Sequence, residues 1–480
     1  MISKKILLPV LVGSAFYLGA CGSDSPSSPA QNPVPASSAA IIPPASSSSI
    51  LPISSPASSS SIALPASSAE APPASSATTP SVYPALAPSA NPAFGVNTYI
   101  SWQSFHFQTE EQDMVNYPTL APEFAEVFTA AYVPTGRVVW ANQTGYYRNS
   151  CSVDDAAVPS MKYRGCTVSE GIGYGMLLAY FNGDIDSFNR MWNYTRAFRA
   201  DNNLKLMPWI TKSFTWDRVD NSSATDADLD IATSLILMYY KTGVAAYLQD
   251  ALTFVNAIWD LEVNPATLLI YSGDDDRWKI ANAAYNLSYF SPVAIRLFAT
   301  VDPSHNWMGV LDAMYAYMQL VQSMGTGVFP DWSDATGNAI NPDNGSADKT
   351  YWTFNKESVR IPWRIAWDYY WYQDARALSV LSKLNQFIVT KTNGNPEDAA
   401  LKINYSWNLS IGADYSNNAI PPQWYAAWCA TGIAGNATWL EACTVGLNTK
   451  QLTNSSNSYF TDILMALYSG LLNGLYVRPF

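Results

Sequence analysis

The chain has 480 residues, a formal net charge of −12, 17 tryptophans and only two histidines. The acidic balance disfavours nucleic acid as a partner, because binding phosphate requires basic stripes. His106 and His305 are too few for a His-dependent triad, and no cysteine spacing resembles a zinc site. We therefore expect no metal and no other cofactor.

The first residues predict export. Lys4 and Lys5 precede an apolar run over residues 6–16, which is typical of a secretory signal and too short to span a membrane comfortably. The following Leu-Gly-Ala-Cys, ending at Cys21, resembles the lipobox of bacterial lipoproteins, in which the cysteine becomes the lipidated first residue. Gly22, where an aspartate would indicate inner-membrane retention, points to the outer membrane, on its surface or periplasmic side. An ordinary signal peptide that contains a cysteine is the alternative.

A Ser-, Pro- and Ala-rich segment over residues 22–91 predicts a disordered linker. It has too little apolar surface to repay the entropy of ordering, and its prolines keep it extended. The charged residues before Pro92 cancel, so the negative charge belongs to residues 92–480. We expect that region to be a single domain and a monomer.

Four cysteines remain after Cys21. An even set in an exported protein indicates disulfides. Of the three possible connectivities, the short spacings favour Cys151–Cys166 and Cys429–Cys443.

Helical periodicity dominates after about residue 165. Such a succession of helices predicts either a solenoid or a closed toroid of helical hairpins, and the pattern alone does not choose between them. The candidate helices cover residues 169–182, 186–199, 225–241, 244–259, 291–300, 305–323, 357–381, 424–432, 437–446 and 459–473. Strand-like alternation is scarce, with residues 138–140 as one candidate.

The first chemical cluster is Ser-Glu-Gly-Ile-Gly-Tyr-Gly-Met at residues 169–176. Each glycine in a helix costs about 1 kcal/mol relative to alanine, so three indicate that something approaches the backbone closely. Glu170 could simply complement the helix dipole in the first turn. The neighbouring glycines favour a functional role.

The second cluster opens a helix with Asp226, Asp228 and Asp230. Capping accounts for one or two of them. Asp226 and Asp230 are i,i+4 neighbours that repel each other, which indicates a use for one carboxylate. A calcium loop is a weak alternative, because its glycine and closing glutamate are missing.

The third cluster places Glu357 and Arg360 at i,i+3. A surface salt bridge is the default interpretation. Nearby tryptophans and tyrosines argue against a solvated face, and an arginine would keep a basic carboxylate ionised. Three separated acidic clusters, many aromatic residues and export predict a glycosidase, which needs one protonated and one ionised carboxyl.

These stretches resemble glycoside hydrolase family 8. Residues 169–176 resemble its general-acid motif, and Ala-Thr-Asp-Ala-Asp-Leu-Asp-Ile-Ala at 224–232 is similar to its signature. Matching stretches follow in family order at residues 286–292, 328–332, 360–364 and 459–462. The resemblance covers residues 95–480 and implies an all-α (α/α)6 barrel, an open cleft across one end, and inversion at the anomeric carbon.

The resemblance implies catalytic roles for three residues. Glu170 is expected to be the general acid, and Asp226 to hold the distorted sugar at the cleavage point. Glu357 takes the position of the base, where many members have an aspartate three residues before the arginine. Another branch of the family takes its base from a different loop, so Asp343 and Asp348 are the alternatives.

Substrate-binding residues follow from the same resemblance. Tyr289 is expected to help Asp226 hold the sugar and the water, with Tyr174 and Arg360 as further candidates. Trp209 is the candidate for a stacking subsite, although core packing is the commoner fate of a tryptophan. Leu287 departs from the proline usual in its stretch.

The motif forms look more like the cellulase, lichenase and chitosanase members than the xylanases. We expect endo-acting, inverting hydrolysis of a β-1,4-glucan, either cellulose or mixed-linkage glucan, with chitosan second and xylan third. A catalytically inactive, glycan-binding lipoprotein is an alternative of a different class. The glutamate at the base position is its only support.

Overall fold

A computed structural model describes residues 83–118, 134–140, 146–153, 161–213, 217–281, 283–342, 349–416 and 419–480. The expectations for Cys21 and for linker residues before 83, and the alternative bases Asp343 and Asp348, lie outside the described residues. Residues 83–480 form one compact unit. No helix in the described ranges combines the length and apolar character needed to cross a membrane.

Helices account for most of the described chain. They are α1 (Pro92–His106), α2 (Glu110–Asn116), α3 (Ser169–Asn182), α4 (Ile185–Asn202), α5 (Thr225–Thr242), α6 (Ala245–Glu262), α7 (Pro292–Val301), α8 (Trp307–Met324), α9 (Ile361–Tyr372), α10 (Ala375–Thr392), α11 (Pro422–Ala430), α12 (Ala437–Leu447) and α13 (Tyr459–Leu472).

Two concentric layers of helices form the fold. The inner layer consists of α3, α5, α7, α9, α11 and α13, each in contact with the next, and α13 returns to contact α3. Each of α4, α6, α8, α10 and α12 packs outside the inner helix that precedes it, and α1 packs against α13. The α13–α3 contact closes the ring, so the toroid is confirmed over the solenoid.

Burial follows the layers. The inner helix α5 is buried without interruption from Thr225 to Met238. The outer helix α10 buries a stripe at three- and four-residue spacing instead, as expected for an amphipathic helix with one face to solvent. The barrel axis is therefore filled by side chains of the inner helices.

One predicted helix, 357–381, is two helices. Gln373 adopts a left-handed conformation (φ 50°) and ends α9, and the Asp374 side chain accepts a hydrogen bond from the Arg376 backbone to start α10. Glutamine carries no sequence signal for a helix end, which explains the error. The helices α1 and α2 were not predicted.

The folded region begins before the predicted boundary at residue 92. Tyr83 stacks on Tyr370 with ring centroids 4.7 Å apart, and Ser89 donates two hydrogen bonds to Glu441. Asn91 caps α1 through its side chain. Residues 83–91 therefore belong to the compact unit and not to the linker.

Short antiparallel strand pairs and two disulfides join the loops. The pairs are β1 (Phe107–Thr109) with β2 (Gly136–Val138), β3 (Cys166–Val168) with β4 (Ile210–Lys212), and β5 (Ile403–Asn404) with β6 (Tyr415–Ser416). The structure contains the disulfides Cys151–Cys166 and Cys429–Cys443. On the loop-entropy model, a loop of this length contributes about 3 kcal/mol of stability.

A buried pair of carboxyl groups lies where α5 meets α6. Glu262 accepts a hydrogen bond from Ser223 Oγ at 2.6 Å, and Asp228 accepts one from the Met207 backbone at 3.1 Å. Burial, aided by nearby Asp274, raises the pKa of Glu262 to about 8, and burial, followed by the charge of Glu262, raises the pKa of Asp228 well above its usual range. The fold therefore favours the protonated form of Glu262 at neutral pH.

This pair predicts a loss of stability in alkali. A carboxyl whose folded-state pKa is raised stabilises the fold fully below its unfolded pKa of about 4.3, and the contribution is lost as pH rises through about 8. Glu262→Gln cannot ionise, so we expect it to melt at a higher temperature than the wild type at pH 9 and within about 2 °C of it at pH 5. Thermal melts at both pH values provide the test. An equal difference at both would contradict the assignment.

Candidate active site

The candidate catalytic residues gather at one end of the barrel. Glu170 and Asp226 lie in the first turns of α3 and α5, and Glu357 immediately precedes a short 3-10 helix, Ser358–Arg360, that leads into α9. Tyr289 precedes α7 and Tyr459 begins α13. Five inner helices thus present their N-terminal ends to one site.

Arg360 joins the three carboxylates. Its Nη1 donates to Glu170 Oε2 at 2.5 Å and to Asp226 Oδ2 at 2.8 Å, and its Nη2 donates to Glu357 Oε2. The guanidinium is only 1% exposed. The contact between Glu357 and Arg360 was expected from their spacing, whereas the convergence of three acids on one arginine is visible only in the tertiary structure.

Glu170 has the environment of a general acid. Its side chain is 12% exposed, and the Tyr459 hydroxyl donates to Oε1 at 2.9 Å. Burial, with additional repulsion from Asp226 and Glu357, raises the pKa of Glu170 to about 7 against the opposing effect of Arg360. When Glu170 carries a proton, the Tyr459 hydroxyl can become an acceptor, because a hydroxyl serves in both senses.

The glycines next to Glu170 allow close packing. A Cβ on Gly171 would lie 2.9 Å from the Tyr459 hydroxyl, so the glycine lets Tyr459 reach Glu170. A Cβ on Gly173 would lie 2.9 Å from Asp230 Cβ and 3.1 Å from a carbonyl oxygen of α5. The close approach predicted from the glycines is therefore present, with α13 and α5 as the approaching elements.

Glu357 is held as a buried ion pair and not as a surface salt bridge. Its side chain is 10% exposed, and Asn286 Nδ2 donates to Oε2 at 2.7 Å beside Arg360. Two donors on one oxygen fix the position of the carboxylate. The backbone of this residue is fixed as well, because Asp331 Oδ1 accepts its N–H at 3.1 Å.

The three aspartates of α5 have three different partners. Asp226 binds Arg360, Asp230 forms a bidentate ion pair with Arg364, and Asp228 faces Glu262. The two arginines offset the i,i+4 repulsion between Asp226 and Asp230.

Within the described residues, no group of three or more His, Cys, Asp or Glu side chains is arranged to hold a metal ion.

Two predicted sugar-binding residues lie in the core instead. Tyr174 has no exposed surface; its hydroxyl lies 3.3 Å from Arg360 Nη1 and its ring meets Trp363 edge-on. Trp209 is 2% exposed, with the rings of Trp140 and Tyr147 packed against it. Stacking on a sugar requires an open ring face, which neither ring presents in this structure, so a sugar contact for Tyr174 and Trp209 stays a prediction.

Tyr289 lies directly beside the charged cluster. Its ring centroid is 5.3 Å from the Arg360 guanidinium carbon, and it is 4% exposed. Burial, followed by the negative charge of Asp226, raises its pKa well above the usual range, so it stays a neutral hydrogen-bonding group.

Three further residues support the site and were not predicted from the sequence. Tyr459, Asn286 and Asp331 all lie within the stretches that resemble the family, but nothing local distinguishes their roles. Each acts across more than 20 residues of sequence on Glu170 or Glu357. Their position within those stretches is the sequence signal that could have identified them.

The arrangement is suited to acid–base hydrolysis. The pKa of one carboxyl, Glu170, is raised to about 7, and the other, Glu357, accepts hydrogen bonds from Asn286 and from Arg360, which also binds Glu170. Such a pair can protonate a leaving oxygen and deprotonate a water.

Comparison with known proteins agrees with this chemistry. Residues 148–465 match the model of the glycosyl hydrolases family 8. Endoglucanase C of Ruminiclostridium cellulolyticum is 32% identical over 245 residues, which are 48% of this chain and 49% of that protein. The beta-glucanase of Niallia circulans is 30% identical over 337 residues, 65% of this chain and 78% of that protein. The chain thus spans about half the length of the first of these relatives.

Solved structures share the fold. The apo structure of a beta-1,3-1,4-glucanase from Paenibacillus sp. X4 superposes with a TM-score of 0.63 at 23% identity, covering 84% of this chain and 97% of that one. A reducing-end-xylose releasing exo-oligoxylanase complexed with xylose gives a TM-score of 0.56 at 15% identity, covering 79% and 99%. At these identities the likeness concerns the fold alone. The family match, which spans most of the chain, shows that this protein belongs to glycoside hydrolase family 8.

Proposed function

We propose that this protein is an endo-acting, inverting glycosidase that cleaves β-1,4 bonds within a glucan. The observation that carries the proposal is the convergence of Glu170, Asp226 and Glu357 on Arg360 at one end of the barrel. Relatives named endoglucanase and beta-glucanase support a glucan as the substrate.

Glu170 and Glu357 divide the chemistry. Protonated Glu170 gives its proton to the leaving glycosidic oxygen as the bond to the anomeric carbon breaks. Glu357 accepts a proton from the water that attacks the same carbon from the opposite face. Asp226 and Tyr289 hold the distorted sugar and the water. For inversion we expect the two carboxyl groups about 6.5–9.5 Å apart, which leaves room for that water.

Chitosan ranks second and xylan third as substrates. An acidic site would attract cationic chitosan. The structural likeness to an exo-oligoxylanase concerns the fold and does not favour xylan. Against a non-catalytic glycan-binding protein stand the raised pKa of Glu170 and the donors fixed on Glu357, because binding alone requires neither.

Reducing-sugar release by the full chain tests the substrate. We expect activity on carboxymethylcellulose or barley glucan above that on chitosan and xylan. Glu170→Gln and Glu357→Gln should each lower kcat by at least about 100-fold, because a general acid or base contributes 10²–10⁴-fold. Asp186→Asn is the matched control, since this carboxylate is 74% exposed in the first turn of α4, beyond the C-terminal end of α3, and its loss should leave activity unchanged. Activity that survives Glu357→Gln would assign the base to another residue, and no activity on any polymer would favour the binding protein.

The pKa of Glu170 predicts an alkaline limit to activity. Since the acid must be protonated and its pKa is about 7, we expect kcat/KM to fall as pH rises through about 7. A glucoside with a good aryl leaving group needs little protonation, so its alkaline loss should be much smaller. A flat profile to pH 9 on the polysaccharide would contradict the assignment of Glu170.

We also propose that Cys21 is lipidated and anchors the protein to the outer membrane. The supporting pattern is Lys4, Lys5, the apolar run 6–16 and the lipobox-like Leu-Gly-Ala-Cys. In a Gram-negative host, we expect the full chain to incorporate labelled palmitate and to fractionate with the outer membrane. Cys21→Ser should abolish the labelling. A wild-type chain recovered unlabelled in the soluble fraction would overturn the proposal.

A further inference from the structure

The connection between α8 and α9 carries Glu357 and, nearer its start, the segment 331–333. Within it, Ser333 exchanges both backbone hydrogen bonds with Tyr285, at 2.7 and 3.0 Å, and the Asp331 backbone donates to the Tyr351 carbonyl at 3.0 Å. Trp332 is 2% exposed and stacks on Trp278 with an interplanar angle of 6°. Asp331 therefore lies on a backbone that is fixed on both sides.

The Asp331 carboxylate organises the turn that carries Glu357. Its Oδ1 accepts the backbone N–H groups of Asn355 and Glu357 at 3.1 Å and of Ser358 at 2.9 Å, and the Ser358 hydroxyl at 2.8 Å. The side chain is buried, with the residue 1% exposed. One oxygen thus fixes the backbone on both sides of the proposed base.

The side chain of Glu357 is held from the same place. Asn286, which donates to Glu357 Oε2, directly follows Tyr285, the partner of Ser333. Asp331 lies two residues before Ser333. The backbone and the carboxylate of Glu357 are therefore both attached to one paired unit, Tyr285–Asn286 with Asp331–Ser333.

We propose that Asp331 is a positioning residue for Glu357, fixing the backbone from which the base reaches its water. The inference rests on the proposed function of Glu357 as base. A glutamate has one more rotatable bond than the aspartate that many family members carry here, so its carboxylate is placed accurately only if its backbone and its tip are both fixed. A displacement of about 1 Å can cost about 100-fold in rate.

The protonation of Asp331 identifies its conservative replacement. Burial, followed by the charge of Glu357, raises the pKa of Asp331 to about 8, so the carboxyl is mostly neutral at pH 7. Oδ1 already has four donors, which leaves the proton to Oδ2. Asparagine reproduces this pattern, with its carbonyl oxygen as Oδ1 and its amide nitrogen in place of the protonated Oδ2.

Steady-state kinetics and thermal melts of the full chain on barley glucan test the proposal. We expect Asp331→Ala to lower kcat about 30- to 100-fold while KM changes less than about 3-fold. Asp331→Asn should recover kcat to within about 5-fold of the wild type, since it keeps the acceptor.

Asp302→Ala is the matched control for lost stability. Asp302 is also a buried acceptor of several donors, among them the Ser304 backbone at 3.1 Å and Trp307 Nε1 at 2.8 Å. It ends α7 about 15 Å from the end that faces the site. We expect it to lower the melting temperature as Asp331→Ala does, with kcat unchanged.

Each outcome decides the proposal. A kcat for Asp331→Ala within 3-fold of the wild type, with Glu357→Gln inactive, would overturn the positioning role and leave the base in place. An active Glu357→Gln would instead overturn the assignment of the base. If Asp331→Ala does not fold, Asp331→Glu moves the carboxylate by one methylene: a lower kcat at unchanged KM supports the role, and an unchanged kcat overturns it.

Discussion

The buried guanidinium of Arg360 is the constraint on which the site depends. Three carboxylates approach this one cation, and each would be costly to bury alone. One positive charge cannot neutralise three negative ones, so the cluster favours retaining a proton. The pKa of Glu170, raised to about 7, identifies it as one site for that proton. The arginine therefore makes the acidic cluster possible, while burial and the neighbouring carboxylates raise the pKa of Glu170 against it, so that Glu170 can hold a proton near neutral pH.

The barrel explains why the cluster can form here. Inner helices begin at this end, so their unpaired N–H groups and positive dipole ends favour the acidic side chains in their first turns, as with Glu170, Asp226 and Asp462. His106 and the backbone of residues 453 and 454 bind Asp462, which also ties α1 and the preceding loop to α13. The same geometry that closes the ring therefore offsets part of the cost of gathering carboxylates.

Much of this fold could be predicted from the sequence because helical periodicity is local. Periodicity alone did not predict ring closure, since closure depends on α13 meeting α3, and it was the family resemblance that implied the barrel. The division of 357–381 depended on a left-handed glutamine. In the site, the acidic residues and the close packing at the glycines could be predicted from the sequence. The partners could not: Tyr459 and Asn286 act through distant contacts, and Asp331 acts through backbone groups that every sequence has.

The contact between Tyr459 and Glu170 also bears on how the site is completed. The two residues are 289 positions apart, and the hydroxyl that binds the acid belongs to the helix that completes the inner ring. A chain that lacks α13 would contain Glu170, Asp226 and Glu357, but it would have neither a closed barrel nor the donor on Glu170. The arrangement around Glu170 is therefore complete only when the last inner helix of the chain has joined the ring.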